Sequence, residues 1–194
     1  MLKAAVVGVN NIGRIHCQNY VMNPDTELVC VCDLDEERAR SVANKYGVMA
    51  YTDMQTMLRN EEIDIVSIAT AGEENGGHHY TPAIMAIEAG KDVLVEKPIS
   101  NNIEEAREMV RLAAEKNVRL ACNLNHRFVP SAYKGRELID KGALGTLLFI
   151  NMKLTIKNQK EMTPWFHLRA LHPHSIDVMR YFGGDIQRVQ AFLT

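Results

Sequence analysis

Short apolar runs alternate with segments of helical spacing from the first residues of the chain. Ala4, Ala5, Val6 and Val7 read as a buried strand that ends at Gly8, and Ile12, Ile15, Asn19 and Tyr20 follow at helical intervals. A second run over 28–32 is closed by Asp33, and a charged amphipathic helix over 35–46 stops at Gly47. A weak strand over 48–51 leads to a short helix through Met54, Met57 and Leu58. A fourth strand over 63–69 precedes a helix over 79–89 that Gly90 stops, and a fifth over 93–95 ends at Glu96, Lys97 and Pro98. Ile103, Ala106, Met109, Val110 and Ala113 mark another helix, and 118–122 a sixth strand. Repeated strand-helix-strand order implies right-handed crossovers and a doubly wound parallel sheet, covered on both faces.

The pattern changes near residue 144. Leu148, Ile150, Met152, Leu154 and Ile156 are apolar at period two, with Asn151, Lys153, Thr155 and Lys157 between them. Such alternation predicts a longer strand in a half-exposed, mainly antiparallel sheet. A polar loop over 158–163, a helix started by Pro173 and stopped by Gly183 and Gly184, and a strand from Ile186 to about Leu193 complete the chain. A strand, a helix and a strand are too few to cover both faces of such a sheet. The expectation is therefore an α/β cofactor domain over 1–125 and, over 126–194, the start of an α+β domain that continues in a longer protein.

Composition narrows the partners. The 194 residues are 46% hydrophobic and 24% charged, which suits a globular protein with a sizeable core. With 22 Lys and Arg against 24 Asp and Glu, the net charge of −2 gives no footprint for nucleic acid or an anionic membrane. A small-molecule partner is expected. Cys17, Cys30, Cys32 and Cys122 form no CxxC pattern and read as buried thiols in a reducing compartment. The amino terminus lacks a signal-peptide pattern and no apolar run approaches the ~20 residues of a membrane span, so the expected location is the cytoplasm.

The turn between the first strand and first helix carries candidate chemistry. Gly8, Asn10, Asn11, Ile12 and Gly13 stand where a dinucleotide needs a tight turn and close backbone approach, so that helix amides can meet the pyrophosphate. This is the position of a Rossmann-type fingerprint, with Asn10 where the middle glycine usually stands. Asparagine tolerates unusual backbone angles, but its side chain takes room near the phosphates. Asp33, 20 residues past Gly13 at the end of the second strand, can accept hydrogen bonds from the adenosine ribose hydroxyls. Its alternative is to cap the helix that starts with Asp35, Glu36 and Glu37. A 2′-phosphate beside Asp33 would meet a repulsion of about 4 kcal/mol per unit charge at ~4 Å and an effective dielectric near ~20. Leu34 follows in place of a compensating arginine, so NAD is expected in preference to NADP.

Together with that turn, Ala69 and Thr70 leading to His79, the run over 88–98 ending in Glu96, Lys97 and Pro98, and the later His174 and Asp177 resemble the glucose-fructose oxidoreductase / inositol dehydrogenase (Gfo/Idh/MocA) family. The resemblance covers the whole chain, and Glu-Lys-Pro after the fifth strand is its most specific part. It implies an NAD(P)-dependent dehydrogenase of sugars or polyols, homo-oligomeric at full length. It also implies that Glu96 contacts the nicotinamide ribose, that Lys97 contacts the substrate hydroxyl, and that Ala69, Thr70, His79 and Asn125 border the cofactor. The chemistry is consistent with those roles. Ligands of open parallel sheets bind beyond the carboxyl ends of the strands, and an ammonium near a cationic ring can polarise an alcohol and pass on its proton. A solvated loop lysine is the alternative for Lys97.

His174 and Asp177 share a helix face, which suits a histidine base with an aspartate that orients its ring or holds substrate. The alternative is a histidine near a helix end with a first-turn aspartate favoured by the helix dipole. The family commonly places an aspartate four residues before this histidine, where this chain has Ala170. Trp165 and Arg169 are candidate substrate contacts, with Arg169 suited to a carboxylate or phosphate. Arg127 is a candidate for an ordinary structural ion pair. His167, His172 and His174 do not specify a ligand geometry, and no metal is expected. Hydride transfer between NAD and a hydroxyl-bearing carbon is the first reading. A glycosidase using transient oxidation by NAD and a non-catalytic NAD sensor are the alternatives.

Overall fold

The computed structural model describes residues 1–71, 78–155 and 166–192. The chain divides into two compact units, Met1–Asn123 and Leu124–Thr194. In the first, strands β1 (Leu2–Val7), β2 (Thr26–Cys32), β3 (Met49–Tyr51), β4 (Ile65–Ile68), β5 (Asp92–Val95) and β6 (Leu120–Cys122) form one sheet in the order β3-β2-β1-β4-β5-β6. Every pairing is parallel. The helices between them are α1 (Asn11–Met22), α2 (Glu36–Tyr46), α3 (Met54–Asn60), α4 (Tyr80–Glu88) and α5 (Ile103–Glu115). This is the Rossmann-type order, in which the chain winds outward from β1, then returns to its other side through β4.

Alternate strand residues go to opposite faces. Ala5, Val7, Val66, Ile68, Val93 and Val95 pack with Met57, Ala83, Ile87 and Met109, while Val6 and Val31 pack with Cys17, Val42 and Ala43. Both faces are therefore filled, which is why these strands read as continuous apolar runs. Burial pushes the thiols of Cys17, Cys30 and Cys32 up to about 12, so all three stay protonated.

Strand register also places the residues just beyond each strand. Val7 pairs with Cys32 and with Ile68, Ile68 with Val95, and Val95 with Cys122. The next residues, Gly8, Asp33, Ala69, Glu96 and Asn123, consequently leave the sheet side by side. Their amides continue the ladder, with Gly8 N–H donating to Cys32 O at 2.8 Å and Glu96 N–H to Ile68 O at 2.9 Å.

The second unit holds α6 (Pro130–Asp140) and α7 (His172–Gly183), with a 3-10 turn at Asn125–Phe128 and a π-helical turn at His167–Leu171. Arg136 Nη1 donates to Tyr181 O at 2.7 Å, and Gly135 leaves room for the Phe182 ring. Helix α6 lies outside the elements expected from periodicity, although Pro130 at its first position is a start signal. The antiparallel strands expected over 148–156 and 186–193 are not formed among the described residues 148–155 and 186–192. Alternation supplies a side-chain face, and Ile150 does lie close to Gly183 of α7. A strand also needs neighbours for its backbone groups, and among the described residues these segments have none.

Candidate active site

At the switch point between β1 and β4 the Gly8 backbone turns with φ 84°. A Cβ there would stand 2.7 Å from the Thr70 backbone, and one at Gly13 would stand 1.9 Å from the Gly8 carbonyl oxygen. The turn thus closes against both α1 and the β4–α4 loop only because neither residue has a side chain. Asn10 precedes α1 and makes no side-chain cap bond, so the first amides of α1 are left without one from that side chain.

Asp33 is 7% exposed and its carboxylate ties this turn to the end of β2. Val9 N–H donates to Oδ2 at 2.8 Å, and Asp35 N–H and Arg38 Nη1 donate to Oδ1 at 3.0 and 2.9 Å. The cap of α2 is Asp35, whose Oδ1 accepts from Arg38 N–H at 3.0 Å. The cap of α2 is therefore not Asp33, which braces the turn instead. Arg38 also pairs with Asp35 at 2.9 Å. It places against Asp33 a cation that the adjacent Leu34 does not announce.

A cleft of about 690 Å³ opens at these strand ends, lined among others by Gly8, Asn10, Asp33, Leu34, Arg38, Ala69, Thr70 and His78. Its volume falls in the usual range for cofactor sites, and Leu34, 95% exposed, offers an apolar surface. The glycine cradle, the uncapped helix start and the carboxylate beside it together fit the adenosine and pyrophosphate of a dinucleotide. Asn11, Ile12, Gly13, His79, Glu96 and Lys97 are not among the lining residues.

His79 is 2% exposed, with Nδ1 2.8 Å from Pro98 O and Nε2 3.0 Å from Thr70 O. It joins the loop after β4 to the segment after β5 from behind the cleft wall. Burial holds its imidazole below the ordinary range, and the two carbonyls oppose this only in part. The folded state therefore favours the neutral ring. The stability advantage of wild type over His79→Gln is expected to be full above about pH 6.5 and to shrink as pH falls through the lower folded value, as urea unfolding would show.

Glu96 and Lys97 follow β5, and the Lys97–Pro98 peptide is cis. Glu96 is held by His16 and Asn123, neither of which the sequence marks as a site residue. His16 Nε2 lies 3.0 Å and Asn123 Nδ2 2.5 Å from Glu96 Oε1. Burial would raise the Glu96 carboxyl, but the hydrogen bonds from His16 and Asn123 more than offset it and its pKa sits below the ordinary value.

In the second unit the rings of His126 and His174 stack at 4.0 Å, and both carboxylate oxygens of Asp177 accept from Arg127. The pairing of Asp177 is thus with Arg127, in the structural ion-pair role that the sequence leaves open for that arginine. Ser175 and Asp177 are buried and Asn125 and Arg169 are exposed. Ala170 is fully buried. Trp165 and the loop over 72–77 lie outside the described residues. Among the described residues, no group of three His, Cys, Asp or Glu side chains could hold a metal ion, and no helix is long and apolar enough to cross a membrane.

The model of the Gfo/Idh/MocA oxidoreductase family, NAD-binding Rossmann fold, matches residues 2–124, and the chain belongs to that family. It is 34% identical over 148 residues to D-glucoside 3-dehydrogenase of Escherichia coli (strain K12), covering 75% of this chain and 41% of that protein. To myo-inositol 2-dehydrogenase of Thermotoga maritima it is 29% identical over 145 residues, covering 74% and 42%. The solved structure of GenD2 from gentamicin A biosynthesis, in complex with NAD, superimposes with a TM-score of 0.78 at 27% identity, covering 94% of this chain and 54% of that one. The chain spans about half or less of the length of these relatives.

Proposed function

We propose that the chain is the cofactor-binding part, and the start of the substrate domain, of an NAD-dependent dehydrogenase of a sugar, polyol or sugar derivative. The observation that carries this is the alignment of Gly8, Asp33, Ala69 and Glu96 at one edge of the sheet, with Asp33 bonded to the fingerprint turn. NAD bound there would supply the acceptor for a hydride from the carbinol carbon. The residues of the chain do the rest. Gly8 and Gly13 admit the pyrophosphate to the α1 amides, and Asp33 has acceptor capacity left for ribose hydroxyls. Lys97 hydrogen-bonds the substrate hydroxyl, and His174 is the candidate base within the second unit. The relatives named dehydrogenases of a glucoside and of myo-inositol support a hydroxyl-bearing ring as substrate. The test is a sugar and polyol panel assayed by NADH absorbance with the full-length gene product. Glycoside cleavage without net NADH would instead indicate transient oxidation.

NAD is the preferred cofactor in this reading, by a margin that Arg38 reduces. Its guanidinium at 2.9 Å from Asp33 offsets part of the repulsion that a 2′-phosphate would meet. Titration should show tighter binding of NADH than NADPH, and Arg38→Ala should widen the gap by about tenfold. Equal affinities in the wild type would contradict the preference.

One observation favours a second reading, an NAD-binding protein without turnover. Ala170 presents no carboxylate where the family resemblance implies one, and Asp177 is paired with Arg127. Cofactor binding with no turnover across the panel would support it.

A further inference from the structure

Helix α1 faces the sheet with a buried histidine that is hydrogen-bonded to groups at and near the active edge. His16 is 5% exposed, and Ser67 of β4, beneath it, is fully buried. His16 Nδ1 is 2.5 Å from Ser67 Oγ, and Nε2 is 3.0 Å from Glu96 Oε1. A carboxylate can only accept, so Nε2 carries the proton and donates to Glu96. In the neutral ring Nδ1 then accepts from the Ser67 hydroxyl. Asn123 Nδ2 donates to the same Oε1 at 2.5 Å, whereas among the described residues Oε2 receives only the longer contact of 3.3 Å from the Lys97 amide. One oxygen of Glu96 is saturated by the protein and the other retains acceptor capacity.

We infer that His16 is a positioning residue: with Ser67 and Asn123 it fixes Glu96 through Oε1 and leaves Oε2 to accept from the nicotinamide ribose hydroxyls. The inference rests on the proposed NAD site and adds a physical link within it. The same helix that meets the pyrophosphate with its first turn holds, one turn later, the carboxylate beside Lys97. The two halves of the cofactor site are thereby set by one rigid element.

A merely structural His16 would affect all ligands of the site together. A positioning His16 affects only ligands that carry the second ribose. The experiment therefore titrates the 194-residue chain with NADH and, separately, with ADP, which lacks that ribose. His16→Ala should weaken NADH by about tenfold and leave ADP within about twofold. His16→Gln, whose amide can still donate to Glu96, should restore NADH binding to within about threefold of wild type. Ser67→Ala, a small change that removes the partner of Nδ1, should show the same selective loss and stands in if His16→Ala does not fold. Parallel loss of NADH and ADP, unchanged NADH affinity in His16→Ala and Ser67→Ala, or failure of glutamine to rescue would each overturn the inference. Wild type that binds NADH no tighter than ADP leaves the dinucleotide site standing and removes the role of Glu96, which also overturns the inference. Wild type that binds neither overturns the NAD reading itself.

Discussion

The Gly13→Ala protein should lose about 3 kcal/mol of stability or more and bind no measurable NADH. The new methyl would stand 1.9 Å from the Gly8 carbonyl oxygen, and no side chain can move aside to relieve a clash between backbone and methyl. Helix α1 must then shift from the turn, which removes its amides from the place where the pyrophosphate would bind. Gly47→Ala is the matched control. Gly47 has positive φ, at 68°, but nothing lies within 4 Å of its Cβ position. That substitution should cost only about 1–2 kcal/mol and leave NADH affinity unchanged. Urea unfolding and fluorescence titration of the two variants separate steric closure of the cofactor turn from ordinary strain in a left-handed residue.

Lys97→Ala in the full-length protein should lower turnover by about 10²–10⁴-fold with the true substrate, while the Kd for NADH changes little. Lys97 directly follows Glu96 at the carboxyl end of β5, so its ammonium is supplied by the most regular part of the fold. Unchanged turnover would exclude Lys97 from the proton path and return it to the role of a solvated loop lysine.

Most of the first unit is legible in the sequence because its strands are buried on both faces. Ala4 to Val7, 65–68 and 93–95 are apolar without interruption save Ser67, and glycine, alanine or a charged residue ends each of them. The exception carries information that periodicity does not encode. Ser67 lies in an apolar strand and meets His16, 51 residues away, on that face. Asn123 is likewise hidden from periodicity: register puts residue 123 beside Glu96. Arg38 is hidden from a reading of the residue next to Asp33, although one helical turn carries residue 38 back to the carboxylates of Asp33 and Asp35. In the second unit Ile150 is set against Gly183, but Leu148, Met152 and Leu154 of the same period-two pattern are exposed, and side-chain alternation cannot supply backbone partners. The Arg127–Asp177 pair joins residues 50 apart, and nothing local to either announces it.

The most direct test of a dinucleotide site at the carboxyl edge of the sheet is fluorescence titration of the 194-residue chain with NADH. Saturable one-to-one binding that ADP displaces and Gly13→Ala abolishes is the predicted result. A folded wild-type chain that gives no saturable NADH signal would contradict it.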